Sequence, residues 1–285
     1  MFEVNKTFSH KGIGKVNEDV YFANHRYAWV FDGATGLTNR HITNTESDAL
    51  WYTNMLSSVL NERIDNMSRL LSDILSECIT VTWEKFLSLI EINELSAIDI
   101  PSAVGCVVRC NANIFEYAIL GDCSLIVEFK DDNVICICDC RLNALDGKSL
   151  ATGLEASRRL GIPLSKCKEH MLPTLIENRL KMNTPQGYYN FSNSQDAAQH
   201  SIQGSIPMET ISRICICSDG FSQYYELFKL CKDCKEFIQL VASQPIECLY
   251  LKLTDAQKQD SEFENFPRLK LTDDATVVCL DVVTN

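Results

Sequence analysis

The run Trp29-Val30-Phe31-Asp32-Gly33-Ala34 is apolar up to a carboxylate and then meets a residue able to turn freely. A similar ending recurs at Ile214-Cys215-Ile216-Cys217-Ser218-Asp219-Gly220. Short apolar runs rich in β-branched and aromatic residues, closed by a turn signal, read as buried strands. Two strands that each deliver an Asp at the tip would gather carboxylates at one edge of a sheet, where they can hold a hard cation. Any fold for this chain has to bury both runs and let both acids reach a common edge.

At 285 residues the chain is long enough for one large domain with a substantial core. A net charge of -12 argues against nucleic acid as a partner, because that binding needs clustered Lys and Arg. The acids then serve as a solubilising surface or, in part, as a cation site. No apolar run approaches the roughly 18 residues of a membrane span. The start, Met1-Phe2-Glu3-Val4-Asn5-Lys6, lacks the apolar core of a signal peptide, so the expectation is a cytoplasmic chain with no membrane partner.

In that compartment the fourteen cysteines stay as thiols. Cys106 and Cys110, Cys136 and Cys138, and Cys215 and Cys217 lie at even spacings inside apolar runs, which predicts small core side chains on strands. Cys231-Lys232-Asp233-Cys234 has no second pair at zinc-ribbon spacing, and the five histidines do not cluster, so a zinc site is unsupported.

Along the chain, residues 1–40 are extended, with strands at Val20–Phe22 and Tyr27–Phe31. Thr45-Glu46-Ser47-Asp48 has the form of a capping box, and Ala49, Tyr52, Leu56 and Val59 then share a helical face. A second helix from about Ser68 lines up Leu71, Leu75, Cys78, Thr82, Phe86 and Leu89. Four short strands between Val104 and Cys138, separated by tight polar turns, predict an antiparallel meander. Residues 139–210 lose periodicity and read as an irregular subdomain or lid. A strand at Ile211–Cys217, helical material to about Lys258 and a last strand over Thr276–Val282 complete the chain as one domain, 1–285.

Acids therefore stand at five strand edges: Glu18 with Asp19, Asp32, Asp122, Asp219, and Asp273 with Asp274. Each Asp-Gly alone is a turn signal; the ordered set is the specific feature. Asn17-Glu18-Asp19, Phe31-Asp32-Gly33, Pro101-Ser102-Ala103, Leu120-Gly121-Asp122-Cys123, Ser218-Asp219-Gly220 and Asp273-Asp274-Ala275-Thr276-Val277 follow one another as do the motifs of a known family. The chain resembles the metal-dependent Ser/Thr protein phosphatases, the PPM or type-2C family, in a divergent, bacterial-like form.

That resemblance implies an α+β fold, a four-layer α-β-β-α sandwich of two antiparallel sheets flanked by helix pairs, with residues 139–210 as the flap subdomain. It implies a cofactor of two or three Mn²⁺ or Mg²⁺ ions. Asp32 would bridge two of them, the Gly33 carbonyl and Glu18 would face one, Asp219 and Asp273 the other. Asp122 would support a third, and Asp19 would hold metal-bound water. The implied reaction is hydrolysis of a phosphomonoester on a phosphoprotein by a metal-bridging hydroxide. The implied partners are that substrate and a cognate Ser/Thr kinase, acting on a monomer.

The chain departs from the family where an Arg usually forks the substrate phosphate. Gly14 stands there, with Lys15 beside it as the candidate phosphate-binding residue and Lys11 or Arg40 as further bases. Ala34 replaces a His of the animal enzymes, and Asp274 replaces an Asn. These departures keep open an inactive pseudophosphatase that binds without turnover, or a phosphatase of small molecules. Cys123, next to Asp122, reads as a small buried side chain before it reads as an oxidation-sensitive one.

Overall fold

The computed structural model describes residues 1–38, 40–90 and 95–283. The chain builds two antiparallel five-stranded sheets. One has the order β2 (Val20–Ala23), β3 (Tyr27–Ala34), β4 (Ser102–Asn111), β5 (Ile114–Leu120), β8 (Ile202–Pro207). The other runs β1 (Phe2–His10), β10 (Ala275–Val282), β9 (Ile211–Cys217), β6 (Ser124–Phe129), β7 (Val134–Ile137).

The twofold alternation of β3 explains the layering. Ala28 and Val30 point into the space between the sheets with Cys106, Val108, Leu125, Ile214, Ile216 and Val278, while Trp29 and Phe31 point the other way. There they meet α1 (Asp48–Arg63) and α2 (Leu71–Leu87) through Leu56, Leu60, Ile74 and Leu75. On the far side, Cys215, Cys217, Val277 and Cys279 pack against α5 (Asp219–Glu226), α6 (Cys234–Ser243) and α7 (Ile246–Gln259). The result is the four-layer α+β sandwich, each fully buried large apolar side chain adding roughly 1.5–3 kcal/mol. Among the described residues no helix is long and apolar enough to cross a membrane.

Several local expectations change. The predicted meander is two hairpins in different sheets: β4 and β5 pair in one, β6 and β7 in the other. The chain changes sheets at Gly121-Asp122-Cys123, where Gly121 takes φ +80, a left-handed conformation that a side chain would strain. The cap of α1 is Ser47, whose hydroxyl accepts from Ala49 and Leu50, rather than Thr45. The second helix stops at Leu87, which leaves Leu89 exposed.

Residues 139–210 are more regular than expected, although turns and isolated bridges fill much of 180–201. They hold α3 (Arg141–Leu160), α4 (Lys168–Arg179) and the edge strand β8. Helix α3 buries only Ser149, Gly153 and Ala156, so its buried face is made of small residues. Cys136 and Cys138 are also not core: β7 is an edge strand, and Cys136 is exposed and Cys138 half-exposed. The other paired cysteines, Cys106, Cys110, Cys215 and Cys217, are buried free thiols.

Candidate metal centre

The strand pairing brings distant acids to one end of the sandwich. On β3, Asp32 pairs with Val104, near the end of the strand. β10 pairs with β9 so that Val277 faces Cys217, which sets Asp273 and Asp274 beside Ser218-Asp219. Asp219 itself opens α5 rather than ending β9. The Thr276 amide donates to the Ser218 hydroxyl at 2.9 Å, and the Ser218 amide to the Thr276 carbonyl at 3.0 Å. Glycine at 220 is required for this approach, since a Cβ there would stand 1.9 Å from the Asp274 carbonyl oxygen. Asp122 arrives on the turn that crosses between sheets, and Asp19 just before β2.

Burial first, and then the carboxylates of Asp19, Asp219, Asp273 and Asp122, push Asp32 well above the usual carboxylate range. Burial followed by Asp273 and Asp122 does the same to Asp219. Asp19 is raised to about 8 by burial, against hydrogen bonds from Thr276 and Ser218 that lower it. Asp122 is raised to about 7 by burial and then by Asp146 on α3. These five aspartates, Asp19, Asp32, Asp122, Asp219 and Asp273, thus form one electrostatic group of like charge. Two of their buried oxygens, Asp19 Oδ1 and Asp219 Oδ1, have no hydrogen-bond partner.

Solved structures share this architecture from end to end. The Mycobacterium tuberculosis serine/threonine phosphatase PstP matches 98% of this chain and 98% of its own at 14% identity, with a TM-score of 0.56. Stp1 of Staphylococcus aureus matches 100% of this chain and 96% of its own at 13% identity and 0.53. The PstP catalytic domain in complex with two manganese ions matches 98% and 97% at 15% identity and 0.55. The chain has the fold of the PPM Ser/Thr phosphatases. No protein-family model and no curated sequence matches it, so the likeness rests on three-dimensional structure.

Within that phosphatase fold the expected site residues separate into two groups. Glu18 lines a cavity with Asp273, and its Oε1 accepts from the Thr35 hydroxyl at 2.7 Å and from the Ser47 hydroxyl. Gly33 packs on the Glu18 main chain, Thr53 and Ala49. Lys15 is exposed on the rim of a cavity of about 680 Å³ that also holds Glu18, Lys168 and Lys270. The aspartates Asp32, Asp122, Asp219 and Asp273 face a second cavity, of about 660 Å³, roofed by α3. Asp273 and Lys270 border both.

Three contributors were missed from sequence. Lys270 donates to Asp273 Oδ1 at 2.7 Å; its ammonium is held protonated by Asp273, Asp219 and Asp32 in spite of desolvation. Its position three residues before Asp273 was the available signal. Asp146 reaches Asp122 from α3, and burial raises it to about 6. Arg179, at the end of α4, donates to the carbonyls of Ala34, Thr35 and Ile100 at 3.1, 3.4 and 2.6 Å, tying α4 to the segment after Asp32. Nothing in the sequence marks either. Asp274 accepts from the Gly12 and Glu18 amides at 2.8 and 2.7 Å, which fixes the N-terminal loop, and its charge also acts to raise Asp19.

Among the described residues no three acids, thiols or imidazoles already converge as a metal-ligand group. The donor set still fits a hard divalent cation in kind. All its donors are oxygen, two buried oxygens are unpaired, and the ammonium of Lys270 pairs with Asp273.

Proposed function

We propose that the chain is a metal-dependent phosphatase of phosphoserine and phosphothreonine in proteins, working with two or three Mn²⁺ or Mg²⁺ ions. The observation that carries this reading is the gathering of five aspartates, with two unpaired buried oxygens, at the end of a PPM-type sandwich. When bound, the cations supply Lewis acidity and an acidified water for attack on phosphorus.

The chain's own residues provide the frame. Asp32, Asp219 and Asp273 would hold the cations, with Asp122 and Asp146 on the flap side. Ser218 orients Asp19 by donating to its Oδ2 at 2.8 Å, while Thr35 and Ser47 fix one Glu18 oxygen and leave the other for a ligand. Lys270, which donates to Asp273, and Lys15 would supply point charges to the phosphate where a guanidinium fork is missing. Purified protein with Mn²⁺ is expected to hydrolyse an aryl phosphate and a phosphothreonine peptide. Turnover that persists in both Asp32→Asn and Asp219→Asn overturns the assignment.

A second reading has its own support. The Lys270 ammonium on Asp273, the absence of a three-ligand group among the described residues, and Gly14 all suit a pseudophosphatase that binds a phosphoprotein without turnover. Titration calorimetry separates the two: phosphopeptide binding with no release of phosphate at any Mn²⁺ concentration selects the second.

A further inference from the structure

Cys138 and Cys140 follow β7 and flank Asp139, with their sulfurs 3.2 Å apart. Cys140 is exposed and Cys138 half-exposed, so a dissolved reagent reaches the pair. A disulfide needs those sulfurs about 1 Å closer.

What lies between them gives the pair its consequence. Asp139 is buried and clamps the turn that carries Asp122: its amide donates to the Gly121 carbonyl at 3.3 Å, and its Oδ2 accepts from the Gly121 amide at 3.3 Å. Its Oδ1 accepts from the amide and Nε of Arg141, at the start of α3, at 3.1 and 2.7 Å. Asp146, which raises Asp122, stands on that helix, and Cys138 lines the cavity the aspartates face. Cys123, the neighbour of Asp122 in sequence, is fully buried and out of reach.

We propose that Cys138 and Cys140 are a hydroperoxide-sensitive dithiol whose disulfide resets the Asp139 clamp and lowers activity through the Asp122 turn. The regulatory half rests on the phosphatase reading; disulfide formation does not. Cys140, the more exposed thiol, attacks the peroxide O–O bond, giving a sulfenic acid and water. The Cys138 sulfur then displaces that hydroxyl as a second water and the S–S bond forms. The two thiols lose two electrons and two protons, and one equivalent of peroxide is reduced.

The test treats the full chain with hydrogen peroxide, blocks remaining thiols and maps peptides by mass spectrometry. A Cys138–Cys140 link that dithiothreitol reverses and Cys140→Ser removes is expected. Hydrogen exchange at the Gly121 amide should change on oxidation in the wild type and stay fixed in Cys140→Ser. Several-fold loss of aryl-phosphate turnover on oxidation, recovered on reduction and absent in Cys140→Ser, completes the expectation. Peroxide that leaves both thiols free, or links Cys138 elsewhere, overturns the dithiol. A complete disulfide with unchanged Gly121 exchange or unchanged turnover overturns the regulation. Absence of turnover in every form counts against the phosphatase reading, while peptide mapping and exchange still decide the dithiol and its clamp.

Discussion

Two buried aspartate sites in this molecule use the same side chain to opposite ends. In the loop after α7, Asp260 accepts from the amides of Asn265 and Phe266, each at 3.0 Å, and from Arg268 at 2.8 Å. Arg268 in turn donates to the carbonyls of Gln257, Asp260, Phe266 and Leu271 and lies 4.2 Å above the Phe263 ring. Burial would raise Asp260, but these hydrogen bonds outweigh it and the group sits below its ordinary value. At the strand-end cluster burial wins, the neighbours are like charges, and Asp19 and Asp219 each keep an unpaired oxygen. Complete pairing suits an acid that holds the fold; incomplete pairing is what the proposed cation site would require of its acids.

The largest expected effect falls on the second class. Asp219→Asn should reduce aryl-phosphate hydrolysis to background and leave the cation-free protein as stable as before or more so, because it removes a buried like charge. Asp260→Ala should do the reverse, costing about 3–5 kcal/mol by stranding the buried Arg268 charge, with turnover of the folded fraction unchanged. Urea denaturation and phosphate release on the two variants read the contrast; a common loss of stability in both would break it.

Acidity gives the next contrast, with opposite signs. Asp19 and Asp122 move from 3.8 when unfolded to about 8 and about 7 when folded, so between those values the native state binds more protons. Stability of the cation-free protein should therefore fall as pH rises from about 5 to about 8. Saturating Mn²⁺ should abolish that slope. Asp260, lowered on folding, contributes stability above its unfolded pKa that is lost as pH falls through its folded pKa. Thermal melts across pH, with and without cation, on wild type and Asp260→Ala, check both slopes.

How much of this contrast the sequence displayed depended on locality. Asp32, Asp122 and Asp219 were visible because each ends or follows a strand with glycine beside it, and a period of two marks strands within a few residues. Which sheet a hairpin joins is decided by burial on both faces, so the break at Gly121 between β5 and β6 had no local signature. Helix α3 was illegible because its buried face is Ser149, Gly153 and Ala156 rather than a leucine stripe. Asp146 and Arg179 then stayed hidden, since their roles exist only once that helix lies over the site. The Lys270–Asp273 pair was three residues long and still passed unread, because a surface lysine beside an acid is ordinary until the acid's other neighbours are known.

Arg179 tests whether α4 supports the proposed cation site. Arg179→Lys loses the planar guanidinium that spans Ala34, Thr35 and Ile100 while keeping the charge. Mn²⁺ affinity by calorimetry should weaken about tenfold, the effect of roughly 1.4 kcal/mol of lost positioning. An unchanged affinity would assign Arg179 to packing alone.

The smallest expected effect is a gain. Gly14 has no positive φ, and a Cβ there would come no nearer than 3.2 Å to the Val16 carbonyl oxygen, so a side chain can be accommodated with slight adjustment. Gly14 also lines the cavity that holds Glu18, Lys15 and Lys270, on the side where the acids are already engaged by Thr35, Ser47 and backbone amides. Gly14→Arg would add a forked donor to that wall, and one charge-assisted hydrogen bond contributes about 1.5–3 kcal/mol. Most of that is offset by ordering a long side chain, so KM for a phosphopeptide should fall severalfold with kcat little changed. Lys15→Ala should move KM the other way. If Gly14→Arg raises kcat instead, the phosphate position lies closer to the aspartates than the cavity lining implies; if neither variant changes KM, the substrate approaches from the α3 side, where Arg179 and Lys270 line the cavity.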